Sequence, residues 1–200
     1  MNNNQLIINT LRTTLILFLL SANVYAQEQD FYSRLSNAAI ELTKDKVSYD
    51  PNYFTIPYPN GDVPADKGVC TDVIIRAYRK LGIDLQQKIH EDMRANFSKY
   101  PNNWGLKKPN TNIDHRRVPN QAKFFSRFGT VLKTSNKGED YLPGDIVTWN
   151  LGRGLNHIGI VTDHKSPKSK RPLIVHNIGR GQVLEDCLFS FKITGHYRYK

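Results

Sequence analysis

Cysteine is scarce in this 200-residue chain, which contains only Cys70 and Cys187. Two cysteines exclude a small scaffold held by several disulfides, and they exclude a cysteine-rich zinc site. Long apolar runs are also missing, and a mean hydropathy of -0.52 excludes a protein with several membrane spans. Acidic residues are outnumbered, with 18 Asp and Glu against 28 Lys and Arg. The remaining composition, 39% hydrophobic and 23% charged, is that of an ordinary globular protein.

The first 26 residues have the three-part pattern of a secretory signal peptide. A polar start ends in Arg12, the apolar run Leu15–Leu20 follows, and the triplet Val24-Tyr25-Ala26 closes the segment. The apolar run is much shorter than the roughly 20 residues that a spanning helix needs. We therefore expect cleavage after Ala26, a single mature domain over residues 27–200, and a periplasmic or secreted protein without an integral membrane segment.

The formal net charge of +10 bears on solubility and association, and it fits either a basic surface without function or an anionic partner. Arg12 is the one charged residue of the predicted signal, so the mature chain carries +10 minus one, which is +9. In a cytosolic protein this charge would suggest nucleic acid. Export favours anionic cell-wall polymers instead, and we expect no nucleic acid, no metal and no cofactor.

The order of predicted elements indicates an α+β fold. Three- and four-residue spacing of apolar side chains predicts helices over Phe31–Lys46, from Cys70 to Gly82, over Leu85–Tyr100 and over Pro119–Phe128. The last third of the chain predicts five strands: Asp145–Leu151, His157–His164, Leu173–Ile178, Gln182–Phe189 and Ile193–Tyr199. Helices followed by strands predict helices packed on one face of an antiparallel sheet of five to six strands.

A cysteine at a helix start suggests a nucleophile. Cys70 lies where a loop ends and an amphipathic helix begins, and the free N–H groups there favour a thiolate and a lowered pKa. Such a nucleophile needs a base, for which His157 at the start of a strand is suited, and a third group that orients the base. His176 or Asn177 could be that group, because strand alternation does not choose between them.

Each of these residues also has a purely structural interpretation. Cys70 could form a disulfide with Cys187 after export. His157 and His176 could be half-buried strand residues with satisfied hydrogen bonds. A zinc site built from several histidines is a further alternative, although no two of them show tight ligand spacing.

Four motifs in order carry a resemblance to a known family: Gly68-Val69-Cys70-Thr71-Asp72, Pro143-Gly144-Asp145-Ile146-Val147, His157-Ile158-Gly159-Ile160-Val161 and Ile174-Val175-His176-Asn177. Together they resemble the NlpC-type papain-like cysteine peptidases, which act on bacterial cell walls. The terminal segment Ile193–Tyr199 makes the chain more similar to an exported family of that clan, the YijF-like domain of unknown function.

The resemblance implies a papain-like fold and a Cys-His-His triad of Cys70, His157 and His176. It implies that Tyr58, a dozen positions before the cysteine, helps to bind the oxyanion. Val69 stands where the wall peptidases usually have an aspartate that meets a substrate amine. Asp72 or Asp66 could replace that aspartate, or the substrate could lack the amine. The insertion from Trp104 onward could roof the cleft.

The implied activity is cleavage of an amide bond in peptidoglycan stem peptides or cross-links. A wall-binding module without turnover, and an amidase or acyltransferase toxin, remain alternatives.

Overall fold

A computed structural model describes residues 27–200 of the chain. The predicted signal peptide, residues 1–26, lies outside the described residues. Within residues 27–200, no helix combines the length and the apolar character needed to cross a membrane.

Four α-helices precede the main strands. The first, α1, covers residues 27–42 and ends earlier than predicted. From Thr43 onward the backbone N–H groups make turn hydrogen bonds, the first of them from Thr43 N–H to the Ile40 carbonyl. The others have the bounds α2 Cys70–Lys80, α3 Leu85–Asn96 and α4 Val118–Phe128. Short 3-10 turns lie at Phe97–Lys99, Asp114–Arg116 and Gly138–Asp140.

The strands form one large sheet and one small one. The large sheet has the order β3-β8-β4-β5-β6-β7 and is antiparallel throughout. Its strands are β3 Thr130–Val131, β4 Ile146–Asn150, β5 Asn156–Lys165, β6 Pro172–His176, β7 Val183–Glu185 and β8 Lys192–Arg198. The small sheet pairs β1 Ser48–Tyr49 with β2 Lys67–Gly68 in parallel.

The two faces of the large sheet are covered differently. One face packs Ile158, Ile160 and Val175 against the helices in the main apolar core. The other face packs Trp149 and Ile174 against connecting segments in a second, smaller cluster. Helices on one face of a six-stranded antiparallel sheet confirm the predicted α+β class.

The turn before β4 ties the last strand to the rest of the sheet. Asp145 is completely buried, and its carboxylate accepts hydrogen bonds from His196 at 2.6 Å and from the Arg198 guanidinium. The ring of Tyr141 stacks on the His196 imidazole at 4.3 Å between centroids. The Pro-Gly-Asp motif therefore serves the fold, because its carboxylate joins β4 to β8.

Candidate active site at the start of helix α2

Cys70 is the first residue of α2 and is separated from β2 by one residue. The preceding residue, Val69, has an extended backbone, and its N–H donates to the Asp72 carboxylate at 2.7 Å. This bond caps the helix start and fixes the position of the cysteine. The Cys70 side chain is buried, and the backbone N–H of Ile158 lies against its sulfur. The sulfur therefore lies on the face of β5 that Ile158 occupies. The His157 ring is on the opposite face, 5.8 Å from the ring of its strand partner Trp149, so the structure does not bring Cys70 and His157 into contact.

A line of hydrogen bonds runs from β5 through β6 to β7. Nε2 of His157 is 2.8 Å from Nδ1 of His176. Nε2 of His176 is 3.0 Å from Oε2 of Glu185. Both imidazoles are buried, whereas the Glu185 side chain is 36% exposed. The structure thus brings together two residues that the sequence singled out and adds a carboxylate that no motif indicated.

The carboxylate at the end of this line determines where the ring hydrogens lie. Glu185 can only accept, so the hydrogen of His176 is on Nε2. Burial lowers the pKa of His176, although the nearby Glu185 opposes the shift, and the ring is neutral at pH 7. Its Nδ1 therefore accepts the hydrogen from Nε2 of His157. Nδ1 of His157 keeps the lone pair and can receive a proton.

The close pairing of β5 and β6 depends on the glycine in the His-Ile-Gly-Ile-Val motif. A Cβ atom added to Gly159 would lie 2.6 Å from Cγ2 of Ile174 and 3.0 Å from the carbonyl oxygen of Val175. Any side chain there would separate the strands that carry His157 and His176. The glycine is therefore required for the 2.8 Å contact between the two imidazoles.

The expected lowering of the Cys70 pKa is wrong for this structure. Burial raises the pKa of Cys70 to about 12, and the N–H groups of Ile158, Thr71 and Cys70 itself offset only part of this effect. Burial, together with the neighbouring His176, lowers the pKa of His157 to about 3. At neutral pH the Cys70 thiol and the His157 imidazole are therefore both uncharged.

A cleft of about 250 Å³ opens at Cys70. It is lined by Tyr49, Pro51, Val69, Cys70, Thr71, Trp104, Ile113, Arg116, Arg117, Val118, Pro119 and Asn156, and this set contains no Asp or Glu. Trp104 is thus brought to the cleft, as the sequence predicted. Its ring packs against the Arg117 guanidinium, whose carbon lies 3.9 Å from the ring centroid. The walls of the cleft are therefore cationic and aromatic.

The structure does not bring Tyr58 to this cleft. Its ring packs edge-on against His90 of α3, at 5.0 Å between centroids. Tyr49 lines the cleft instead, and the pKa of its hydroxyl is raised by burial and by the nearby Cys70. The pairing of β1 with β2 places Tyr49 opposite Gly68, two residues before the cysteine. This contact spans a proline-rich loop, so counting positions along the sequence selects the wrong tyrosine.

Asp72 faces a buried arginine and is not free to meet a substrate amine. Its two carboxylate oxygens accept from Nε and Nη2 of Arg116 at 2.9 and 3.0 Å. Arg116 also donates to the carbonyl of Asn52 at 3.0 Å. The suggestion that Asp72 replaces the missing aspartate at Val69 is therefore not supported. The pair instead holds the 50–54 loop beside the cleft.

Asn177 has a structural role next to the histidine line. Its side-chain N–H donates to the carbonyl of Gly68 at 3.1 Å, and its oxygen accepts from the N–H of Gly179 at 3.1 Å. These bonds tie the end of β6 to the strand before Cys70. Because His176 contacts His157 and Asn177 does not, the structure favours His176 as the orienting residue.

The alternative of a disulfide between Cys70 and Cys187 is wrong, because both cysteines are free. Cys187 lies in the segment after β7 and is half-buried. Its sulfur is 3.5 Å from Nε2 of His176, in a pocket whose lining shares no residue with the cleft. Within residues 27–200, one group of at least three His, Cys, Asp or Glu side chains is close enough to hold a metal ion. It consists of His176, Glu185 and Cys187.

Comparison with known proteins assigns a family. The family described as "Domain of unknown function (DUF1287)" matches residues 36–199. The "Uncharacterized protein YijF" of Escherichia coli (strain K12) is 52% identical over 165 residues, which cover 82% of this chain and 80% of that protein. These findings confirm the YijF-like resemblance.

Among solved structures, NlpC2 from Trichomonas vaginalis is similar, with a TM-score of 0.45 and 16% identity. The match covers 84% of this chain and 47% of that structure, so the chain spans about half of its length.

Proposed function

The chain belongs to the DUF1287 family, and we propose that this member is an exported cysteine hydrolase that cleaves amide bonds of peptidoglycan stem peptides or cross-links. Two observations support the proposal: Cys70 at the start of α2 with the N–H of Ile158 against its sulfur, and the hydrogen-bonded line His157–His176–Glu185 on the adjoining strands. The line lies on the Trp149 face of the sheet, so the reaction requires the His157 ring to turn toward the cleft. The order cysteine, histidine and orienting residue is that of the papain-like enzymes, as the sequence motifs suggest.

The neutral thiol and imidazole define the first half of the reaction. In the proposed reaction the Cys70 sulfur attacks the carbonyl carbon while its proton moves to Nδ1 of His157, so a C–S bond forms and the S–H bond breaks. The His157 ring, which rests beside Trp149, has to reach the sulfur for this step. The charge on the carbonyl oxygen is met by the N–H of Cys70 at the helix start and by the Tyr49 hydroxyl. The imidazolium then protonates the leaving nitrogen, the C–N bond breaks, and a thioester remains.

Water completes the reaction by the same route. His157 takes a proton from water as the water oxygen attacks the thioester carbon, and the proton returns to the Cys70 sulfur as it leaves. His176 and Glu185 act as positioning residues, because they hold His157 in the tautomer whose Nδ1 is free and stabilise its charged form.

The cleft lining favours a substrate that carries a carboxylate near the scissile bond. Arg117 is partly buried, and burial lowers its pKa despite the nearby Asp114, whose carboxylate lies 3.7 Å away. A guanidinium with one long ion pair can still bind an anion. Val69 offers nothing to a free amine. We therefore propose a carboxylate-bearing peptide rather than one anchored by its amino terminus.

The test compares single-cysteine variants on purified sacculi. Parent protein and Cys70→Ala are incubated with sacculi, and the released fragments are identified by mass spectrometry. Cys187→Ala is the matched control, because it removes the other free thiol. We expect the same fragments from the parent and from Cys187→Ala, and none from Cys70→Ala. Equal release by Cys70→Ala would refute the proposed mechanism.

A second candidate function is wall binding without turnover. The raised pKa of Cys70, due to its burial, and the absence of an acid from the cleft lining favour it. It requires saturable retention on sacculi by the parent and by Cys70→Ala alike, with no fragment released by either. Co-sedimentation measured beside the release assay separates the two functions.

A further inference from the structure

We propose that His176, Glu185 and Cys187 form a binding site for a thiophilic divalent cation of the zinc class. The three side chains come from the end of β6, the end of β7 and the segment that follows it. The pairing of His176 with Val183 places Glu185 two residues further along β7, on the same face as the imidazole. Cys187 follows after two more residues.

The distances between the three donor atoms fit one tetrahedral ion. Nε2 of His176 is 3.5 Å from Sγ of Cys187 and 3.0 Å from Oε2 of Glu185, and all three atoms lie within 4.8 Å of one another. Zinc bonds of about 2.0 Å to nitrogen and oxygen and about 2.3 Å to sulfur, at tetrahedral angles, separate nitrogen from sulfur by about 3.5 Å and nitrogen from oxygen by about 3.3 Å. The two distances from Nε2 of His176 therefore agree with a zinc site to within a few tenths of an ångström, and the oxygen and sulfur are at most 4.8 Å apart.

The donor set selects the class of metal. One imidazole, one carboxylate and one thiolate favour zinc over magnesium or calcium, which take oxygen ligands. Binding breaks the Cys187 S–H bond, releases that proton to solvent and forms the metal–sulfur bond. Three protein ligands leave a fourth position for water. The pocket in front of these side chains is open to solvent and is separate from the cleft at Cys70.

One cation already competes for the carboxylate. Nη1 of Arg180 lies 3.7 Å from Oε1 of Glu185, and the Arg180 side chain is 81% exposed. A long, exposed ion pair contributes little. The arginine therefore does not block the site, but its removal should strengthen metal binding.

Occupation of this site would switch off the base, a consequence that rests on the proposed function. A metal on Nε2 of His176 moves the hydrogen of that neutral ring to Nδ1, which then donates to Nε2 of His157. The hydrogen of His157 is consequently on Nδ1. This atom receives the thiol proton when no metal is bound, and with the metal bound it can no longer do so. The ion inhibits by reversing the direction of the hydrogen bonds, without touching Cys70.

The test measures binding separately from activity. Reduced protein is titrated with Zn²⁺ against a chromophoric chelator, and with Co²⁺, whose bond to a thiolate gives a near-ultraviolet charge-transfer band. We expect one ion per chain, the band in the parent and in Cys70→Ala, and no band in Cys187→Ala. The variant Cys187→Ala should lose roughly 100-fold in zinc affinity, since it lacks one of three ligands. Arg180→Ala should bind zinc more tightly than the parent.

Activity on sacculi then tests the switch. Zinc should inhibit the parent, a chelator should restore it, and Cys187→Ala should resist the same zinc concentration. The proposed metal site would be refuted if the parent showed no charge-transfer band. It would also be refuted if Cys70→Ala lost the band while Cys187→Ala kept it. Equal inhibition of the parent and Cys187→Ala would overturn the switch. Metal binding by a protein without hydrolase activity would leave the site standing and refute only the proposed function.

Discussion

The buried pair of Asp72 and Arg116 is the sharpest test of how the cleft is built. The carboxylate of Asp72 accepts two bonds from Arg116, at 2.9 and 3.0 Å, and a third from the N–H of Val69 at 2.7 Å. The two side chains are 3% and 2% exposed. The substitution Asp72→Asn keeps the shape and one acceptor oxygen for the cap, but it removes the charge that Arg116 faces.

The expected cost is large because the guanidinium stays buried. Removing one partner of a buried ion pair costs about 3–5 kcal/mol, since the other charge is left uncompensated. Arg116 would retain the carbonyl of Asn52 and the ring of Phe54, 5.5 Å away, as partners. A loss of this size is a substantial share of the roughly 5–15 kcal/mol by which domains are stable. It corresponds to a fall in Tm of about 10 °C for a chain of this length.

Urea and thermal unfolding of Asp72→Asn measure the effect, with Asp30→Asn as the matched control. Asp30 pairs with Arg34 on the surface of α1, where the side chains are 66% and 61% exposed, and its loss should be within error. A stability unchanged by Asp72→Asn, combined with a higher KM for amine-bearing fragments only, would refute this reasoning. That result would assign Asp72 to substrate binding, as first suggested by the sequence.

Three further predictions concern the base, the buried carboxylate of Asp92 and the cleft. Glu185→Gln should lower kcat on sacculi about tenfold with little change in KM, because the variant keeps an acceptor for His176 but loses the charge; complete loss would contradict a positioning role. Burial would raise the pKa of Asp92, but Arg127 and the other partners of this carboxylate hold the pKa below its usual value. The ionised carboxylate therefore stabilises the fold above about pH 4, and this stabilisation is lost as the pH falls through the lower pKa of the folded state. In acid titrations of the free energy of unfolding, Asp92→Asn should lack this pH-dependent contribution. Arg117→Ala should raise KM for a carboxylate-bearing fragment but not for its amidated form, and equal changes for both would contradict carboxylate binding.

The sequence was sufficient for the elements whose signals are local. Apolar spacing and Gly82 predicted α2, and the alternation of glycine and β-branched residues around His157 predicted β5. Cys70 is identifiable because a cysteine at a helix start has a definite chemical meaning. The α+β class follows from the order of these elements along the chain.

The rest depends on contacts between distant segments. Tyr49 is beside Cys70 because β1 pairs with β2, and neither strand is longer than two residues. Glu185 meets His176 because a three-residue strand adds to the edge of the sheet. The two-residue strands β1 and β2 carry too little periodicity to be recognised, whereas the strand predicted over Gln182–Phe189 contains β7 but does not show which residue Glu185 meets. Burial of Cys70 depends on how the loops cover the helix start, and this burial reversed the direction of the predicted pKa shift.

The raised pKa of Cys70 leads to a prediction about alkylation of the thiol. In the variant Cys187→Ala, Cys70 is the one remaining thiol, and a small neutral alkylating reagent reports its ionisation. With a pKa of about 12 rather than the ordinary 9.0, the thiolate fraction at pH 7 should be about 1,000-fold lower than that of an unperturbed thiol. The labelling rate should therefore rise about tenfold per pH unit from pH 7 to 10 without reaching a plateau.

The position of the plateau is independent of how easily the reagent enters the cleft, because restricted access scales the rate equally at every pH. The same protein unfolded in urea is the control, and its labelling rate should level off near the pKa of an ordinary thiol. A plateau at or below pH 7 in the folded protein would mean that a thiolate already rests beside a charged imidazole. In that case the proton would have moved before substrate arrives, and the concerted transfer from Cys70 to His157 would be refuted.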